Sequence, residues 1–418
     1  LNQDLSLWLV IVIFSLTYLG LALGKFPWLR MDRAGIALVG ASVMVVTGVV
    51  SFREAVRSVD FEAIVLLFGM MVVVAHLRLS GFFSRLADSI LGHVSAPRSV
   101  LAVVIALSGV LSAFLVNDIV CLALTPLVIH LTRRLRIDPL PQLMGLATAA
   151  NIGSTATITG NPQNMIIGVL SHIDYLHFAA SLAPVALAGL ALDFGVICLV
   201  YRKRLGAPPT VDQGYPGPEP GRHRQPRVWL FRESVTITLV TVALFFVGLP
   251  VSLVALGAAA VLFLGRIRPQ RIYNQIDWSL LVMFCGLFVV VHTFETIVVS
   301  QWGIERWRLL LGHPLSILTP VSAVLSNIVS NVPAVLLFKP VIPAMPATAR
   351  ESAWLALAMS STLAGNLTIL GSVANFIVVE NARRERIAVS FWEYCRAGIP
   401  TTILTLAAGA AWLYLIGR

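Results

Sequence analysis

Residues 112–136 read SAFLVNDIVCLALTPLVIHLTRRLR, and residues 142–168 read QLMGLATAANIGSTATITGNPQNMIIG. The first stretch is apolar on both sides of Asn117-Asp118. The second is apolar on both sides of a run of Gly, Thr, Ser, Asn and Pro that closes on Gly160-Asn161-Pro162. Hydrocarbon offers no partner to a bare amide or carbonyl, so irregular backbone at that depth survives only where protein buries it or where it lines a cavity. Secondary transporters place solute and coupling ions at such helix breaks. The two stretches therefore predict a re-entrant hairpin with Asn at its point, followed by a broken helix.

The same order recurs half a chain later. SNIVSNVPAVLLFKPVI runs from Ser326 to Ile342, and LAMSSTLAGNLTILGSVANFIVV from Leu357 to Val379. Asn117 aligns with Asn331 at an offset of 214, and Gly160 with Gly371 and Asn164 with Asn375 at 211. An earlier block matches as well. VDFEAIVLLFGMMVVV (Val59 to Val74) aligns with IDWSLLVMFCGLFVVV (Ile276 to Val291), setting Asp60 on Asp277 and Gly69 on Gly286 at 217. These blocks define two repeats, 1–201 and 233–418, joined by a linker at 202–232 rich in Pro, Gly and charge. The expected hairpins lie at about 98–132 and 315–343, the broken helices at about 143–171 and 352–379.

Only 12% of the 418 residues are charged, half the share of about 25% in soluble domains, so the chain reads as an all-α polytopic membrane protein. A net charge of +10 would point to nucleic acid in a soluble protein; here the basic residues flank apolar runs, and no nucleic-acid partner is expected. Apolar runs of the length a bilayer demands fall at Leu5–Leu23, Ala34–Val50, Phe61–Leu79, Phe178–Tyr201, Ser234–Val247, Ser252–Leu264, Trp278–Val299 and Trp392–Ile416, besides the two broken helices. The first has no small-residue cleavage site after it and reads as a true span. Each hairpin looks too short for two crossings. Five crossings per repeat, an odd number, would invert one repeat against the other. With the N-terminus outside, the inner segments carry 23 of the 30 Lys and Arg and the outer ones six. That is the positive-inside bias. It puts both termini outside an inner (plasma) membrane and the linker in the cytoplasm.

Helix ends at a hairpin tip turn free amides toward oxyanions and free carbonyls toward cations. Asn adds a donor and an acceptor without charge. The tips offer Asn117 and Asn331, with Ser330 adjacent and Asn327 one turn earlier. The first break offers Asn151, Thr157, Thr159, Gly160, Asn161 and Asn164, the second Asn366, Thr368, Gly371, Ser372 and Asn375. No Arg falls in a tip or a break, which suits a neutral hydroxylated solute better than a dianion. Asp118 is the deepest carboxylate by position, and an ionisable residue there is a functional candidate by default. It reads as a proton carrier, with an N-cap of the second hairpin arm as the alternative. Lys339, about two turns past Asn331, is the other coupling candidate if the tips meet, or else a snorkelling anchor. Asp193 and Glu295 read as lying near span ends and, with His76, His130 and His292, as packing or interfacial groups. The four cysteines have no metal-ligand spacing, and no metal or cofactor is expected. An intramembrane enzyme would need a catalytic pair, and Asp118 has Val332 as its counterpart; no hydrolase or zinc-protease motif occurs.

The blocks VNDIVCLALTP, ATAANIGSTATITGNPQNMIIG and SNIVSNVPAVLL resemble the ion-transporter superfamily. Within it they are most similar to the arsenite/antimonite permease group, which includes plant silicic-acid efflux transporters; divalent-anion/sodium symporters are related. The likeness covers nearly the whole chain. It implies a scaffold domain, a transport domain with two opposed hairpins, an elevator movement and a homodimer. It also implies export of arsenite, antimonite or silicic acid by proton antiport, with sodium-coupled anion or dicarboxylate symport as the alternative. For the permeases it implies an arsenic-pump ATPase subunit as partner. The symporters carry Ser-Asn-Thr at each tip. Here Val116-Asn117-Asp118 and Ser330-Asn331-Val332 stand instead, which argues against a dicarboxylate.

The topology is testable by single cysteines at Gln213 and His313 in a background lacking the native four. Position 213 should label only from the cytoplasm and position 313 only from outside. Labelling of 213 from outside would overturn the inverted arrangement.

Overall fold

The computed structural model describes residues 3–23, 31–91, 94–206, 228–302 and 314–417. Most of the expected linker, with Gln213, and also His313 lie outside them. Among the described residues every regular element is helical. The first half holds α1 (Gln3–Leu23), α2 (Arg33–Val46), α3 (Phe52–Ser58), α4 (Phe61–Leu79), α5 (Phe82–Leu91), α6 (Pro97–Phe114), α7 (Asn117–Leu135), α8 (Pro139–Ser154), α9 (Pro162–Ser171), α10 (Tyr175–Val200) and α11 (Arg202–Leu205). The second holds α12 (Val228–Phe246), α13 (Val251–Phe263), α14 (Pro269–Tyr273), α15 (Trp278–Phe294), α16 (Ser300–Trp302), α17 (Thr319–Val329), α18 (Asn331–Leu337), α19 (Ala347–Leu363), α20 (Val373–Arg384) and α21 (Phe391–Ile416). Seven helices among these are long and apolar enough to cross a membrane: α1, α4, α6, α10, α12, α15 with its extension to Val299, and α21.

Paired positions of the two halves build the same local structures. Asp60 caps α4, its Oδ1 accepting from Ala63 N at 3.0 Å, and Asp277 caps α15 through Leu280 N at 3.0 Å. Gly69 lets α4 cross α13 so closely that a Cβ would stand 2.7 Å from the Ala255 carbonyl; Gly286 does the same for α15 on α2, 2.7 Å from Ala37. Both α10 and α21 run 26 residues, with Pro184 and Pro400 at matching places. Because α4 packs on α13 and α15 on α2, each half supplies the packing surface of the other. The remaining long elements, α6–α10 and α17–α21, pack around the two helix breaks.

Two expectations need correction. The arms of the first hairpin are 18 and 19 residues, about 27 Å each at a helical rise of 1.5 Å, and α6 alone is long enough to cross. Shortness therefore does not mark this hairpin. The second is shorter, with helices of 11 and 7 residues on either side of Ser330. The span expected to reach Val50 stops at Val46, where Thr47 folds its hydroxyl onto Val43 O at 2.7 Å and Gly48 takes φ +74°. The short α3 was also missed, although Ser51 and Glu54 form a complete capping box at its start.

Overpacking tests the helix crossings. Gly69→Ala and Gly286→Ala force two backbones apart and should each cost about 1–3 kcal/mol, read as a lower melting temperature in detergent. Gly195→Ala has nothing within 4 Å of its Cβ and should be neutral or stabilising. Equal melting of all three would show that the crossings are slack.

Candidate functional site

Both breaks are built to one plan. The first passes from α8 through a 3-10 turn at Ile158–Gly160 into α9, with Asn161 as N-cap accepting from Asn164 N at 2.9 Å. The second passes from α19 through 3-10 turns at Ala364–Asn366 and Ile369–Gly371 into α20, with Ser372 as N-cap accepting from Ala374 N at 3.2 Å. Thr157 and Thr368 hold nearly the same backbone angles, φ −140° ψ 165° and φ −139° ψ 165°. Asn164 Nδ2 donates to Ser154 O at 3.1 Å and Thr157 O at 3.0 Å. Asn375 Nδ2 donates to Gly365 O at 2.7 Å and Thr368 O at 3.1 Å. Every partner keeps the offset of 211 seen in the sequence. These two Asn side chains satisfy carbonyls that the interrupted helices release. Gly160 is required because a Cβ there would meet Ser154 O at 2.2 Å.

The hairpin tips enter this framework. Asn117 is buried as the first residue of α7, and its Nδ2 donates to Asn151 Oδ1 at 2.9 Å. Asn151 Nδ2 donates in turn to Asn366 Oδ1 (2.8 Å) and Asn375 Oδ1 (2.9 Å), while Ser372 Oγ donates to Asn151 Oδ1 at 2.9 Å. On the other side Thr362 accepts from Asn161 Nδ2 and Gln163 Nε2, both at 3.2 Å, and donates to Asn164 Oδ1 at 3.4 Å. Asn151 of α8 thus reaches into the second break and Thr362 of α19 into the first, again 211 apart. In the amide orientation that matches donors to acceptors, Asn331 donates to Ser361 O and Gly371 O and accepts from Gln163 Nε2, each at 3.2 Å. Ser330, between α17 and α18, holds φ +77° and ψ 157°, a region nearly reserved for Gly and found where a site over-determines its backbone.

A cavity of about 560 Å³ lies between the tips. Asn117, Asp118, Gln163, Asn327, Ser330, Asn331 and Ser372 line its floor and walls; Asp32, Arg33 and Asp277 stand where α2 and α15 begin. Asp118 does not cap α7: the N-cap is Val116, and no side-chain cap bond is made there. Instead Asp118 N donates to Asn117 Oδ1 at 3.0 Å, and its carboxyl faces the Ala374 amide at the start of α20. Lys339 does not line the cavity; its Nζ sits 5.6 Å from the centre of the Phe288 ring. Thr159 points elsewhere, to Tyr175 OH at 2.8 Å, and Thr157 bonds Ala113 O. Asp193, expected near a span end, is fully buried inside the bundle. Sequence reasoning missed Gln163, Thr362, Arg33 and Asp277 as site residues, although Gln163 stands within the Asn-Pro-Gln-Asn run and Asp277 in a matched block.

The profile of the CitMHS family, described as citrate transporter, matches residues 11–364. The chain belongs to this family. It is 30% identical over 473 residues to the silicon efflux transporter LSI3 of Oryza sativa subsp. japonica, covering 97% of each. A transporter of Dictyostelium discoideum named arsB is 25% identical, covering 100% of this chain and 94% of that one. Among solved structures the YdaH transporter of Alcanivorax borkumensis superposes with a TM-score of 0.60 over 99% of this chain and 97% of that one, at 16% identity, and so shares the fold. The protein is a multi-pass membrane transporter of the CitMHS and ArsB-like group.

The lacing role predicts a stability effect. Asn375→Ala takes the donor from Gly365 O, a buried group that costs about 1–3 kcal/mol when unpaired, while Thr368 O keeps Gly371 N at 3.1 Å. In Asn164→Ala, Ser154 O keeps Asn161 Nδ2 at 3.2 Å and Thr157 O keeps Gly160 N at 3.4 Å. Asn375→Ala should therefore melt well below wild type in detergent, and Asn164→Ala less far below it, before any question of transport arises. Unchanged melting would mean that water replaces the amide and that the breaks are wet.

Proposed function

We propose that this CitMHS-family protein exports a small neutral hydroxide of the arsenite, antimonite or silicic-acid kind in exchange for protons. The charge around the cavity carries this reading. Its lining holds three carboxylates, Asp32, Asp118 and Asp277, against one guanidinium, Arg33. A citrate or dicarboxylate entering there would meet like charge from three directions. A neutral hydroxide needs only donors and acceptors, and Asn117, Gln163, Ser330, Asn331 and Ser372 supply both. The silicon efflux named for the rice relative supports the same solute class. The citrate description of the family supports the alternative, in which bound sodium would offset the carboxylates.

Asp118 is the coupling residue in this reading. It adjoins the tip Asn, lines the cavity and has the apolar Val332 as its counterpart. The two halves are taken as inverted repeats. In that orientation the cavity rim at Asp32, Arg33 and Asp277 lies on the cytoplasmic side, an inward-open state. Elements α6–α10 and α17–α21 would move as a transport domain against a scaffold of the rest, within a homodimer.

Everted vesicles decide between the solutes. Arsenite and silicic acid should accumulate when the interior is acidified and citrate should not; sodium-driven citrate uptake in their place would overturn the proposal. Asn117→Ala and Asn331→Ala should abolish uptake in a chain that still folds. Asn117→Ala should melt near wild type because Asn151 Oδ1 keeps Ser372 Oγ, and Asn331→Ala lower because Ser361 O and Gly371 O lose its amide. Asp118→Asn should still exchange solute yet lose accumulation driven by a pH gradient; wild-type accumulation would move the coupling to another group.

A further inference from the structure

Asp193 lies on α10 with no exposed surface. Thr148 Oγ1 of α8 is 2.9 Å from Asp193 Oδ2 and 2.8 Å from Met144 O. Thr401 Oγ1 of α21 is 3.2 Å from Asp193 Oδ1. Two hydroxyl hydrogens therefore face three acceptors. The count closes with one more proton, on Oδ2. Asp193 then donates to Thr148, Thr148 donates to Met144 O, and Thr401 donates to Oδ1. Among the described residues no cation balances an ionised form. Helix α8 contains no ionisable residue, and α6 contains only Arg98, which acts on Cys198 of α10. From α21 comes Tyr394, which interacts with Asp193 and is itself surrounded by Cys395, Cys121 of α7 and Tyr201 at the end of α10. The charged residues of α21 are Glu393 and Arg396, more than a turn before Thr401, and Arg396 is exposed. The charged residues of α11, α12 and α19 stand toward the ends of the bundle: Arg202, Lys203 and Arg204, Arg232 and Glu233, Arg350 and Glu351. A carboxylate buried this way without a counter-ion is costly.

The same Thr148 joins this group to the site. Its carbonyl accepts from Asn366 Nδ2 at 3.1 Å, Asn366 Oδ1 accepts from Asn151, and Asn151 holds the tip residue Asn117. Any solute that draws Asn117 or Asn151 away pulls on the residue that receives the Asp193 proton. At the offset that pairs Pro184 with Pro400, the counterpart of Asp193 is Gly409, so the carboxyl occurs in one half only.

We propose that Asp193 holds a proton in this state and is a second proton site of the transport cycle, linked to solute through Thr148 and Asn366. This rests on the proton-exchange reading above. Asp193→Asn keeps both hydrogen bonds, with its amide nitrogen donating to Thr148 Oγ1, but cannot titrate.

Infrared spectra of the purified full chain, taken without solute, should show a protonated-carboxyl stretch in wild type and in Asp118→Asn that is missing from Asp193→Asn and fades as pH rises. In vesicles, Asp193→Asn should keep solute exchange but lose gradient-driven uptake by about tenfold or more, within the usual size of a coupling factor. No band assignable to Asp193, or a band that no pH removes together with wild-type coupling in Asp193→Asn, overturns the proposal. Should that variant not fold, Thr401→Val removes only the donor to Oδ1 and must shift the band; an unmoved band overturns it equally. Uncoupling in Asp118→Asn with none in Asp193→Asn would leave the proposed function standing and end this inference alone.

Discussion

The structure depends on one constraint: carbonyls released inside a helix, at a depth without water, must still find donors. Two helices are interrupted, and Ser154, Thr157, Gly365 and Thr368 lose their regular partners. One Asn per break answers both of its carbonyls, because its amide carries two hydrogens. Ser or Thr at 164 or 375 could serve only one. The Gly at 160 and 371 follows from the same geometry, since the turn brings its backbone against the carbonyl of residue 154 or 365. A single packing solution thus demands Gly and Asn at fixed separations and leaves the rest of each break free to bind.

Once laced, each break is completed by the other half of the chain. Asn151 enters the second break and Thr362 the first, while α4 and α13, and α15 and α2, interlock at glycine crossings. Each half leaves part of its buried polar set to be paired by the other. A net hydrogen bond contributes only about 1 kcal/mol, but an orphaned buried partner costs about 1–3, so the gain of assembly lies chiefly in groups not left unpaired. The matched blocks are therefore units of geometry rather than of stability, and the cavity is lined by residues of both halves.

This explains what could be read beforehand. Asn, Gly and Pro inside an apolar run are anomalies, so the breaks, the tips and the offsets of 211 and 214 were visible in the sequence. Fifteen of the residues so named gather at the tips and breaks, apart from Thr159, which serves α10, and Lys339, which sits on Phe288. Gln163 and Thr362 were invisible because each finds its partners about two hundred residues away, and a polar side chain in an apolar helix does not announce which neighbour it faces. Arg33 and Asp277 begin helices and looked like topology signals or caps; Asp277 does cap α15, yet it also borders the cavity. The depth of Asp193 escaped because α10 is a long, evenly apolar helix without a strong polar face, so its sequence gives no sign of which residues turn inward.

The two halves share what geometry needs and differ in what charge needs. Asn164 and Asn375, Thr157 and Thr368, Gly160 and Gly371, Asn117 and Asn331 are the same residues. The counterpart of Asp118 is Val332, and that of Asp193 is Gly409. Matched backbone allows the same solute contacts to form from either side of a two-fold site. A carboxyl at 332 to match Asp118 would add like charge to a cavity that already borders Asp32 and Asp277, and ionising one would oppose ionising the next. Keeping the tip carboxyl in one half avoids that opposition, so under the proposed proton exchange a symmetric framework would carry protons on an asymmetric set of groups, while an uncharged solute would be held by amides and hydroxyls common to both.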